Sequence, residues 1–235
     1  MTQPDSRDPN RPLPRALVAL VLFMTATELV LQAGDLGIVG DGMLRFRVYA
    51  AGAFWASLFH GAEPLFALQP ITMFVSHALL HGGLLHLAMN AAILLGLGRM
   101  IGERYGDGTV LPLFLLSAIA GGIVFALIND SDIPMVGASG AVFGFLGVWT
   151  AWDWYRHRAY GLSTRPVAMR AVGLLLINIL FYFGFGGMIA WEAHVGGYLA
   201  GLGFGAWLER MLVWRASRAA RHARAAARRD RNSGV

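Results

Sequence analysis

Residues 110–128 read VLPLFLLSAIAGGIVFALI, without one charged side chain. A helix rises 1.5 Å per residue, so a stretch of this length and character reaches most of the way across the hydrocarbon core of a bilayer. On its C-terminal side stands the polar run Asn129-Asp130-Ser131-Asp132, and then Gly137-Ala138-Ser139-Gly140 opens another apolar stretch. Working outward in both directions gives six candidate spans. They are Leu13–Leu36, Leu84–Ile101, Val110–Ile128, Ser139–Tyr155, Pro166–Phe185 and Trp191–Trp214. The expected fold is an all-α, polytopic membrane bundle of six transmembrane helices. Residues 1–12 form an N-terminal tail, 13–214 the membrane domain, and 215–235 a basic C-terminal tail. Between the first two spans, Gly37–Gly83 is semi-polar with apolar patches such as Phe54-Trp55 and Leu65-Phe66. It reads as a long structured loop resting in the interface.

Composition agrees with lipid as the solvent. The chain has 235 residues, 56% of them hydrophobic and only 14% charged, with a mean hydropathy of +0.54. Soluble domains carry about 25% charged residues. The absence of cysteine excludes disulfides, thiolate chemistry and any cysteine-based zinc or iron–sulfur site. All 19 basic residues are arginine, a usage that suits a GC-rich bacterial genome, so the expected location is a bacterial inner (plasma) membrane. Apart from Arg45 and Arg47, the arginines fall in the two tails, the 99–107 turn and the 156–170 loop. Basic loops stay cytoplasmic. Both termini are therefore expected inside, with spans two, four and six running from outside to inside. The first span, longer than a cleaved signal's apolar core and with no A-x-A site after it, reads as an uncleaved anchor. The arginine–alanine tail is either a helix on anionic headgroups or a solvated basic end; nothing beyond charge suggests nucleic acid.

Polar groups inside spans are unfavourable in lipid and mark function by default. Span two opens with His86 and Asn90, which share a helical face at i and i+4. Span four opens with Ser139, and span six carries His194 near its start. All three spans run the same way, so the four groups lie at one depth, in the outer half of the membrane. Gly140 and Gly144 in span four, and Gly197, Gly201 and Gly205 in span six, give the spacing that lets helices approach closely. Plain helix packing explains the glycines equally well. A serine hydroxyl becomes a nucleophile when a neighbouring base takes its proton, and His194 fits that role. The unpaired N–H groups at the start of span four, with His86 and Asn90, supply donors for an oxyanion. No carboxylate is placed to orient His194, because Glu192 projects elsewhere on the helix. The expectation is a Ser–His dyad without a third member.

Three elements together resemble the rhomboid family of intramembrane serine proteases. They are His81-x-x-x-x-His86-x-x-x-Asn90, then Gly137-Ala138-Ser139-Gly140, then Ala193-His194-Val195-Gly196-Gly197. Each motif alone is weak, but the three in order and in matching spans, over about Thr72–Gly205, are specific. The resemblance implies Ser139 as nucleophile and His194 as general base. It implies His86, Asn90 and the Ser139 amide as oxyanion donors. It gives His81 a structural role near the first loop, matches His77 to a further family histidine, and places Phe143 where an aromatic packs on the base. Gly137, Gly140 and Gly197 support the arrangement. The implied activity is cleavage of single-span membrane proteins at small residues such as alanine, with no cofactor and no metal. Where many members carry Trp-Arg in the first loop, this chain has Ile71-Thr72-Met73, so the loop's usual anchoring is not expected.

Other polar residues read more plainly. Glu28 is expected to be paired in the bundle or near its outer end, Asp153 to form a surface ion pair with Arg156, and Asn178 to make an interhelical hydrogen bond. The glycine-rich stretch 184–188 is expected to cap the site and move to admit substrate, with the outer end of span five. Three rival readings stand beside the protease. One is a catalytically inactive rhomboid-like protein that binds clients, although all four groups are kept. Another is a metal or haem site built from His77, His81, His86 and His194, of which only His77 and His81 have i,i+4 spacing. The last is a transporter with broken helices, although the two halves show no visible repeat.

Overall fold

The computed structural model describes residues 11–129, 132–184, 186 and 189–232. Most of the expected tail 1–12, the centre of the 129–132 turn, and Phe185, Gly187 and Met188 of the expected capping loop lie outside the described residues, as do residues 233–235.

The polypeptide is helical, with one isolated β-bridge among the described residues. Helix α1 spans Arg15–Asp35. Three short helices follow within the first loop: α2 (Leu44–Gly52), α3 (Ala56–Phe59) and α4 (Gln69–Ser76), the last running into a 3₁₀ turn at His77–Leu79. Then come α5 (Leu84–Tyr105), α6 (Val110–Ile128), α7 (Ser139–Ala159), α8 (Arg165–Gly184) and α9 (Trp191–Asn232). The long helices coincide with the six expected stretches to within a few residues, except that α9 runs on without a break through the expected 214/215 boundary.

Four of these helices, α1, α5, α6 with the turn before it, and α8, are long and apolar enough to cross a membrane. The expected fourth and sixth spans, α7 and α9, do not meet that measure because they carry the polar load: Asp153 and its arginine neighbours on one, Glu192, His194 and Glu209 on the other. They also lie at the centre of the bundle. Half-apolar helices are tolerated there because protein, not lipid, surrounds them.

Two apolar clusters hold the bundle. One joins α1, α5, α6 and α7 through Leu17, Met24, Leu94, Phe114 and Phe145. The other joins the first loop to α6 and α9 through Phe54, Met73, Phe125 and Ala193. Phe54 is the wedge of the second cluster. Its ring meets Phe74, His77 and Phe125 edge to face, and it fills the space a side chain at Gly122 would need.

The first loop is structured, as expected, and its anchor is Arg45. The guanidinium donates to Glu28 at 2.8 Å, to Asp35 at 2.7 Å and to the His81 carbonyl at 3.0 Å. Glu28 is fully buried, so its bundle pairing is made by a loop arginine. Gln69 adds a second tie, accepting from Leu65 N–H and donating to the Ala50 carbonyl. These contacts hold the loop without the Trp-Arg pair. At the site of the departure, Ile71 is exposed while Met73 is buried in the core.

Helix α9 lies along α7 and α6, with backbone against backbone. A Cβ built on Gly197 would overlap the Gly140 carbonyl, and one on Gly201 would overlap the Gly144 carbonyl. Gly121 of α6 faces the Ala193 carbonyl of α9 in the same way, at 2.9 Å from an added Cβ. Helix α8 stands apart. It touches α7 and α9 at few points, and Val167 and Asn178 are its only buried residues.

Candidate active site

Ser139 is the first residue of α7, and the backbone before it is fixed from the first loop. Gly137 N–H donates to the His77 carbonyl, and Met135 pairs with Phe54 through both of its backbone groups. Ala138 N–H points at Nε2 of His81 at 3.4 Å. Gly137 takes φ +125°, a left-handed conformation open to glycine, and an added Cβ would stand 2.7 Å from the His86 ring. Two constraints thus require the first glycine of the Gly-Ala-Ser-Gly stretch.

The close approach of α9 brings His194 to Ser139. Ser139 Oγ and His194 Nε2 are 2.8 Å apart, a distance for a hydroxyl that donates to an imidazole nitrogen. His194 is buried while Ser139 is half exposed, so the imidazole is shielded and the hydroxyl is reachable. The Phe143 ring stacks on the imidazole, with centroids 4.3 Å apart and planes within 6°. Phe143 lies one helical turn after Ser139, so a single helix presents both the hydroxyl and the plate on which the imidazole rests.

Sequence reasoning left His194 Nδ1 without a partner. In the structure it lies 2.7 Å from Oδ1 of Asn178, which is buried on α8. Asn178 does make an interhelical hydrogen bond, as expected, but the partner is this imidazole. The signal in the sequence was an amide among the apolar residues of span five; what could not be read was the rotation of span five against span six.

His86 and Asn90 stand on α5 beside the start of α7. Gly82 N–H donates to His86 Nδ1 at 3.3 Å. A neutral imidazole that accepts at Nδ1 carries its proton on Nε2, and that nitrogen faces Gly137, two residues before Ser139. Asn90 is buried and donates one amide hydrogen to the His86 carbonyl at 3.0 Å. The N–H groups of Ser139 and Gly140, in the first turn of α7, have no carbonyl behind them in the helix. The free N–H groups of α7 and the His86 ring of α5 thus both stand at the start of α7.

His77 and His81 form the floor. His77 Nδ1–H donates to the Met73 carbonyl at 2.7 Å. Burial holds both imidazoles well below the ordinary histidine range, so both are neutral at physiological pH. The His81 ring stands edge to face with His86, centroids 5.2 Å apart. Among the described residues no three metal-ligating side chains converge.

Of two acidic residues, Glu192 points elsewhere as expected, whereas Asp153 departs from expectation. Glu192, two residues before His194, turns away and accepts from Asn129. Asp153 is not a surface residue: it is buried and held by Arg156 at 2.7 Å and by Arg170 of α8. The arginines reach in from the exposed side, because a buried carboxylate needs more than one donor to offset its lost hydration.

A family model described as "Rhomboid domain" matches residues 69–210. The chain is 34% identical over 133 residues to RHOMBOID-like protein 5 of Arabidopsis thaliana, covering 53% of this chain and 40% of that protein. It is 33% identical over 126 residues to rhomboid protease GluP of Bacillus subtilis, covering 52% of this chain and 23% of that protein. It is 30% identical over 137 residues to rhomboid protease GlpG of Photorhabdus laumondii, covering 58% and 47%. The chain thus spans less than half the length of each of these three relatives.

Proposed function

Because the chain belongs to the rhomboid family, we propose that it is an intramembrane serine endopeptidase in which Ser139 is the nucleophile and His194 the general base. The observation that carries this reading is the 2.8 Å contact between Ser139 Oγ and His194 Nε2, made between two helices that glycine backbones hold in register. Nε2 accepts the hydroxyl proton as Oγ attacks the peptide carbonyl carbon. The resulting oxyanion is met by the N–H of Ser139 and by the His86 and Asn90 side chains. His194 then gives the proton to the leaving amine, and the acyl-enzyme forms. Water, deprotonated by the same imidazole, attacks the ester and restores the hydroxyl.

A scissile bond in a transmembrane helix is shielded by its own hydrogen bonds. The reading therefore includes single-span membrane substrates with a small residue at the cleavage point, where a helix unwinds readily. It includes six spans, with α7 and α9 completing the four apolar ones. It also places both termini on the cytoplasmic side of a bacterial inner membrane, as the arginine distribution favours.

The test is turnover of a detergent-solubilised single-span substrate by the purified chain. Ser139→Ala and His194→Ala should each reduce it by at least about 10³-fold, while chelators leave it unchanged. Wild-type protein that binds the substrate without cutting it would support a client-binding role instead. Full activity in Ser139→Ala would overturn the assignment.

A further inference from the structure

We propose that Asn178 is a positioning residue for the base, so that Ser139, His194 and Asn178 act as a triad with an uncharged third member. The proposal rests on the reading of Ser139 and His194 given above and extends it to α8.

The hydrogen bonds of the Asn178 side chain determine its orientation. Its Nδ2 donates to the Trp191 carbonyl at 3.4 Å. A carbonyl oxygen only accepts, so the amide nitrogen must face Trp191 and Oδ1 must face His194. Oδ1 in turn only accepts, so the proton of the neutral imidazole sits on Nδ1. That leaves the lone pair on Nε2, facing Ser139 Oγ at 2.8 Å. The amide therefore selects the tautomer that can take the serine proton. In the other tautomer Nε2–H would point at the hydroxyl and the base would be spent.

The two contacts on the ring are complementary. Phe143, stacked within 6°, fixes the plane of the imidazole but leaves it free to turn within that plane. The bond from Nδ1 to Asn178 at 2.7 Å removes that rotation. An amide also suits the surroundings. Asn178 is buried on a helix that is mostly exposed, where a carboxylate would be far less favourable than a neutral acceptor.

The test compares Asn178→Leu and Asn178→Asp, with kcat, KM and the pH profile measured on one detergent-solubilised substrate. Asn178→Leu keeps the volume and removes the acceptor. It should lower kcat at least about tenfold with KM within about twofold, because the ring is misoriented and binding is untouched. Asn178→Asp restores an acceptor and adds a charge. A carboxylate beside Nδ1–H favours the imidazolium, so the acid limb of kcat/KM should move up by about one pH unit or more. The other titratable groups around His194 stay in place. They are His86 from α5, which acts on His194 electrostatically, Tyr198, which lines the same cavity and is held by Thr150, and Glu192 on its own helix, held by Asn129. A residue that merely packs α8 would change folding or KM and leave the limb where it was.

Wild-type kcat in Asn178→Leu overturns the proposal. So does a loss in Asn178→Leu that comes with an unshifted acid limb in Asn178→Asp, since that pattern marks packing. Both outcomes require Ser139-dependent turnover by the wild type. If that turnover is missing, the protease reading fails, and this failure is separate from one confined to Asn178.

Discussion

The seam between α7 and α9 and the contact of α8 with both are built on opposite principles. Along the seam, Gly140, Gly144, Gly197 and Gly201 bring backbone onto backbone, so no side chain can adjust. Helix α8 has an apolar cavity of about 310 Å³ between itself and its neighbours, with Phe143, Asn178 and His194 in its lining. Asn178 is its only buried residue outside its first turn. In lipid, where tails are as apolar as leucine, close contact rather than water exclusion determines which helices stay together. The Ser139 hydroxyl and the His194 imidazole therefore sit where contact is closest, and Asn178, which meets the imidazole, sits where it is loosest. In the proposed mechanism, this difference separates the placing of the serine and imidazole from the setting of their protonation.

The largest effect that could break this contrast lies in the seam. Gly201→Val sets a branched side chain where the Gly144 carbonyl stands. Overpacking a core typically costs about 1–3 kcal/mol, and more where the neighbour is backbone. Ser139 reactivity toward a fluorophosphonate should disappear together with the monodisperse folded species. Gly173→Ala on α8 is the control, because an added Cβ there meets nothing within 4 Å. It should leave both readouts unchanged. Equal losses at the two positions would remove the distinction.

A smaller effect tests whether the first loop belongs with the seam or with α8. Arg45→Ala leaves Glu28 fully buried without its guanidinium, a change that typically destabilises by about 3 kcal/mol. The His81 carbonyl loses a donor in the same step. The unfolding free energy in mixed micelles should fall by that amount, with a lowered midpoint, and adding Glu28→Gln should recover part of it. An unchanged midpoint would mean that Phe54 and Gln69 hold the loop unaided.

Much of this architecture could be read from the chain. Ser139, His86, Asn90 and His194 stood out because polar groups in apolar runs are rare and the helical period fixes their relative depth. Phe143 followed from the family resemblance, and the glycine spacing pointed to the seam. Arg45 and Asn178 were visible as residues but not as partners. A loop arginine shows nothing of which buried carboxylate it will reach, since 17 positions separate it from Glu28. Asn178 and His194 lie 16 apart across a turn, and hydropathy places a helix in the membrane without fixing its rotation there. Asp153 was misjudged for the same reason, because its second arginine arrives from α8.

The smallest expected effect sharpens the contrast most, because it holds the chemistry constant. Leu94 of α5 is fully buried, whereas Leu175 of α8 is half exposed and lines the cavity. Leu94→Ala removes contacts on every side and should cost about 2 kcal/mol or more. Leu175→Ala exchanges contact with lipid for contact with lipid and slightly enlarges a space that already exists. It should change the unfolding free energy by no more than about 0.5 kcal/mol. Denaturation of both variants in the same mixed micelles gives the comparison directly. If Leu175→Ala costs as much as Leu94→Ala, then α8 is packed as firmly as the core. If the two differ as expected, α8 owes its position mainly to the connecting chain, to the Arg170–Asp153 pair and to the Asn178 bonds with His194 and Trp191.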